Sequence, residues 1–126
     1  MAEHNDTGRR GEELAQALLL EKGYWIEATN WRTGKAEIDI IARREELLVF
    51  VEVKTRTSDV WSKPDENLRA PQIKLLGKAA NVYMERTQHD WEIRFDLITV
   101  VLHPNGRVAL EHFEDAFFPG QWKFSG

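Results

Sequence analysis

"LLVFVEVKTR", Leu47–Arg56, is the stretch on which the reading of the fold turns. Its side chains alternate, so Phe50, Glu52 and Lys54 project to one face of a strand and Val49, Val51 and Val53 to the other. A segment that asks to be buried thus carries a carboxylate and an ammonium side by side. The segment before it, "EIDIIARR" (37–44), has Glu37, Asp39 and Ile41 on one face, with Ile38 and Ile40 opposite. Only the polar pair Glu45 and Glu46 separates the two runs, which makes them antiparallel neighbours. With their faces aligned, Asp39 and Glu52 converge.

Two ionised carboxylates in a half-buried site repel one another, and a raised pKa or a bound divalent cation relieves the repulsion. Hard oxygen ligands suit Mg2+ or Mn2+, and Mg2+ takes one or two carboxylates while keeping waters for a substrate phosphate. Lys54, on the same face, would hold an attacking water or stabilise charge growing on a phosphate oxygen. An ExK triplet alone is most often a solvated charge pair on an edge strand. This one lies among apolar residues and follows, after twelve intervening positions, an Asp in the adjacent strand.

Working outward, "YWIEATNW" (24–31) reads as a first strand joined to the second through the turn "RTGK". Before it, Leu14, Ala17 and Leu18 recur at helical spacing and Gly23 stands as a stop, which predicts a helix over 8–22 with Glu12 at the edge of its buried stripe. After Arg56 comes a polar loop holding Trp61 and Pro64, of a length that is often functional. Pro71 opens a second helix over 71–87, with Ile73, Leu76, Ala80 and Tyr83 on one side and Lys74, Lys78, Asn81 and Glu85 on the other. "WEIRFDLITVVL" (91–102) reads as a strand covered on both faces, and "PNG" turns it into a last strand, "RVALEHF" (107–113). The fold class is α/β, a mixed sheet flanked by helices in the order α-β-β-β-α-β-β.

With 126 residues the chain fits one domain, with a short unassigned tail over 114–126. No window approaches the ~20 apolar residues that span a bilayer, and the first residues show no apolar core of a secretory signal. Zero cysteines exclude disulfides, thiolate nucleophiles and Cys-based zinc sites. His4, His89, His103 and His112 lack ligand spacing, so any metal would be oxygen-bound. A reducing, cytoplasmic setting and no membrane partner are the expectation. The net charge of −4 argues against coating nucleic acid through overall charge and leaves a local basic face open.

The motifs "GRRGEELA", "EIDIIA", "LVFVEVKTR", "KAANVYM" and "RFDLITV" together resemble the PD-(D/E)xK nuclease superfamily, and more closely the YraN-type family of restriction-endonuclease-like proteins, relatives of Holliday-junction resolvases. The similarity runs from about Gly8 to about Val101. It implies a restriction-endonuclease-like core with Asp39 and Glu52 as metal-binding carboxylates and the Val53 backbone carbonyl as a further ligand. It also implies Lys54 as the catalytic lysine, Glu12 as an acid reaching the metal through water, and Gln72 as a polar group facing the site. Ala36 stands where the family usually has Gly, and Pro71 where a Lys commonly precedes the Gln. For Glu12 the plain alternative is an acid placed in the first helical turn by the macrodipole, and for Gln72 an exposed polar residue.

Arg9, Arg10, Arg32, Lys35, Arg56, Lys63 and Arg69 fall where they would border the site and supply phosphate contacts. Trp61 would stack on an unpaired base or fold back over its own loop. The function these residues imply is a metal-dependent endonuclease acting on structured or branched DNA. The alternative is a non-catalytic nucleic-acid-binding protein or DNA-repair accessory on the same fold. A branched substrate calls for paired sites, hence a homodimer.

Overall fold

The computed structural model describes residues 2–58 and 70–117. Their order is α1 (Ala2–Glu21), β1 (Trp25–Thr33), β2 (Ala36–Arg44), β3 (Leu47–Thr57), α2 (Ala70–Thr87), β4 (Ile93–Leu102) and β5 (Val108–Phe113). The strands form one sheet in the order β1-β2-β3-β4-β5. β3 and β4 run parallel, because α2 lies in the crossover between them, and all other pairs are antiparallel. The fold class expected from the sequence is the one observed.

Local chemistry sets the boundaries. α1 ends in a Schellman motif: Gly23 takes φ +96°, its N–H donates to Leu20 O at 3.1 Å, and the Tyr24 N–H donates to Leu19 O at 3.0 Å. The helix starts earlier than its expected opening at Gly8, which lies in its interior, between Asp6 and Arg9 that pair at 2.9 Å. Gly34, with φ +58°, begins the two-residue link from Thr33 to Ala36.

Each face of the sheet has its own core. Ala15 and Leu19 of α1 pack with Ile40, Ala42, Val49, Val51, Ile98 and Val100 on one side. Leu76, Ala79, Ala80 and Tyr83 of α2 pack with Ile41, Leu48, Phe50 and Phe95 on the other. The alternation read from β3 therefore holds, with Phe50 on the α2 side and the valines on the α1 side. Trp31 meets the Tyr83 ring edge-on at 5.2 Å, whereas Trp25 at the start of β1 and Trp91 just before β4 are half exposed; Trp122 lies outside the described residues.

The α1-side core also holds a charge. Asp96 is fully buried, and Arg94 donates to both its oxygens from Nε and Nη2 at 2.8 Å each. His112 Nε2 lies 2.8 Å from Oδ2, and the Asp115 N–H donates to Oδ1 at 3.0 Å. Arg94 further donates to the Tyr24 hydroxyl at 2.5 Å, which ties β4 to the end of α1.

Candidate functional site

The site forms where β2 parts from β3. Their ladder runs from Arg44↔Leu47 to Ile40↔Val51 and goes no further. At the next position the Asp39 carboxylate accepts the Val53 N–H at 2.8 Å, in place of a strand carbonyl. Freed from the ladder, β2 breaks strict alternation. Ile38 was expected beside Ile40 but joins the α2-side core, while Ile40 and Ala42 stay on the α1 side. Asp39 keeps the side that alternation gives it and lies with Glu52 and Gln72 in a pocket of about 220 Å³, lined also by Lys35, Ala36, Glu37 and Leu76.

Neither carboxylate of the pair is compensated as Asp96 is. Burial raises the pKa of Asp39, the Val53 N–H opposes the rise, and the charges of Glu12 and Glu37 add to it. For Glu52 burial is again the largest cause, and the charge of Asp39 outweighs the opposing attraction of Lys54. Desolvation is thus reinforced by neighbouring acids at both groups, Glu12 and Glu37 for Asp39 and Asp39 for Glu52, and the pair is close enough to share a proton. Lys54 is the cation on the same strand face.

Glu12 reaches this cluster from α1 because the helix lies unusually close to β3. A Cβ on Gly11 would sit 1.8 Å from Thr55 Oγ1, so only glycine permits the approach. The link from Glu12 to the strands is Asn30, a residue the sequence reading passed over. Its Nδ2 donates to Glu12 Oε1 at 3.1 Å and Glu37 Oε2 at 3.0 Å. Its backbone sits in the left-handed region at φ +49°. An Asn two positions beyond the apolar alternation was the only signal, and only the tertiary contact gives it meaning.

The other expected residues divide. Gln72 lies in the first turn of α2 and lines the pocket, as does Lys35. Val53 engages Asp39 through its N–H. Arg32 lies 3.5 Å from Glu37 at the surface, and Arg10 is exposed on α1 beside Arg9. Arg56 lines a different groove, about 640 Å³ in volume, with Ile73, Thr99, Glu111 and Phe113. Trp61, Lys63 and Arg69 lie outside the described residues.

No group of three or more His, Asp or Glu side chains among the described residues is spaced to hold a metal ion. The donor chemistry nevertheless fits a hard cation of the Mg2+ kind, which takes one or two carboxylates and completes its shell with main-chain oxygen and water. Asp39 and Glu52 are such a pair.

Fold and site define an α/β protein with paired, half-buried carboxylates and a lysine where two strands diverge. The chain belongs to the uncharacterised protein family UPF0102, which matches residues 11–100. The UPF0102 protein of Bacteroides thetaiotaomicron is 46% identical over 119 residues, and that of Flavobacterium psychrophilum 50% over 118. Each match covers 94% of this chain and 98% of the relative. Among solved structures, SfsA of Pyrococcus furiosus in complex with Ca2+ is similar over 88% of this chain and 63% of that one, at 18% identity and TM-score 0.42. This chain spans less than two thirds of SfsA. No helix among the described residues is long and apolar enough to cross a membrane.

Proposed function

We propose that this chain is a divalent-metal-dependent endonuclease that hydrolyses phosphodiester bonds of structured or branched DNA in the cytoplasm. The observation that carries the reading is the Asp39–Glu52 pair, desolvated and side by side in the lining of one pocket, with Lys54 acting on Glu52 from the same strand face. Proteins keep such pairs at functional sites because the missing compensation comes from a ligand. In this reading Asp39 and Glu52 hold Mg2+ or Mn2+, which would neutralise charge on the scissile phosphate and lower the pKa of water. Lys54 donates to a phosphate oxygen or orients the attacking water, and Gln72 and Lys35 border the substrate. In-line attack leaves a 5′-phosphate and a 3′-hydroxyl.

The test incubates the full chain with labelled four-way junctions, flaps, duplexes and single strands in Mg2+ or Mn2+, beside Asp39→Ala/Glu52→Ala. Metal-dependent cuts by the wild type, reduced at least ~1000-fold in the double variant, are expected. Cuts that persist in that variant overturn the reading. Binding of one shape without cleavage in any divalent metal favours a non-catalytic nucleic-acid-binding protein or repair accessory instead. That alternative draws on the net charge of −4 and on Ala36 and Pro71 standing where the family usually has Gly and Lys. Branched DNA would engage a homodimer, and a light-scattering mass of 14.7 kDa at working concentration excludes one.

A further inference from the structure

We propose that Asn30 is a positioning residue of this site, an uncharged clamp that joins Glu12 to Glu37 and keeps Glu12 beside Asp39. The inference rests on the nuclease reading and adds to it a residue that carries no chemistry of its own. Its basis is geometric. Carboxylates only accept hydrogen bonds, so the Asn30 amide nitrogen must face both acids, and one NH2 group spans Glu12 of α1 and Glu37 of β2.

The clamp has a conformational cost. Asn30 holds φ +49° within β1, where an L residue normally stays extended, and Asn is among the few types that tolerate it. The side chain is exposed, so water would satisfy both carboxylates nearly as well, and hydrogen bonds at such a position add little to stability. What water does not supply is a fixed separation between helix and strand. A lysine would also bridge the two acids, but it would cancel their charge. The amide leaves intact the negative field that a cation at Asp39 and Glu52 would meet.

Glycine is the informative substitution, because it keeps the left-handed backbone at no strain and removes only the amide. Manganese binding is measured by calorimetry on the metal-free full chain for wild type, Asn30→Gly, Glu12→Gln and the double variant, with a melting curve for each. If Asn30 acts through Glu12, each single variant weakens Mn2+ binding ~10-fold, the size seen for groups that orient metal ligands, and the double variant is no weaker. Melting temperatures stay close to wild type. Independent, multiplying losses, or an Asn30→Gly affinity equal to wild type, overturn the inference and leave the nuclease reading standing. A wild type that binds no Mn2+ overturns both.

Discussion

The two faces of the sheet treat their buried acids in opposite ways, although the acids are almost adjacent. In the parallel β3–β4 register Val51 faces Asp96 and Glu52 faces Leu97, so the two carboxylates lie one step apart on neighbouring strands and project to opposite sides. On the α1 side Asp96 receives a bidentate guanidinium, an imidazole contact and a backbone N–H. On the α2 side Glu52 has a second carboxylate and one lysine. A fold able to surround one acid with donors, within ~5 Å of strand spacing, leaves the next pair short of them. The shortage is therefore a property of the site rather than of the fold.

The largest effect comes from breaking the satisfied side. Asp96→Asn should cost about 3–5 kcal/mol, because Arg94 would remain buried against an uncharged partner. Chemical denaturation gives the number, and a loss below about 1 kcal/mol would mean that the two acids are not treated differently.

Gly11→Ala tests the element both regions share. α1 places Glu12 near the pair from its middle, and Tyr24, just past its C-terminal end, accepts from Arg94. An added methyl meets Thr55 at 1.8 Å, so α1 must shift, at about 1–3 kcal/mol. Weaker Mn2+ binding should accompany the lower melting temperature; an unchanged melting temperature would show that α1 rides over Thr55 without strain.

On the unsatisfied side the sign reverses. Glu52→Gln removes a charge that burial and Asp39 both oppose, so the metal-free chain should gain on the order of 1 kcal/mol at pH 8 while losing cation binding. A destabilised Glu52→Gln would show that Lys54 already compensates the pair.

Much of this contrast was legible in the sequence. The alternation of β3 and the stop at Gly23 give the sheet and the end of α1, because both depend on residues near in sequence. Asp39 opposite Glu52 follows from the same parity. Asn30 and the Asp96 network were not readable in that way. Asn30 acquires its role only when α1 crosses β1, and Asp96 meets His112 only after β5 returns beside β4. The turn of Ile38 toward α2 was hidden for a related reason: parity describes a strand within its ladder, and Asp39 is where β2 leaves it.

The pH dependence of the metal-free chain tests the contrast without any substitution. Burial pushes Asp39 up to about 6 and Glu52 up to about 8, with the charges of Glu12 and Glu37 adding to the first rise and that of Asp39 to the second. Their unfolded values lie near 4, so between those limits the folded chain holds protons that the unfolded chain has released. The associated stability is fully present below about pH 4 and is lost as pH rises through the folded values. Glu27, held low by Arg43 and Tyr83 against the cost of burial, acts in the opposite direction, but its window lies on the acid side of its ordinary value. The metal-free melting temperature should therefore fall by about 3–8 °C from pH 5 to pH 8.5. Saturating Mn2+ should flatten the curve, since a cation then takes the place of the shared proton, and Glu52→Gln should flatten it without metal. A metal-free profile that is level or rising over this range would place the unmet charge elsewhere and remove the contrast between the two faces.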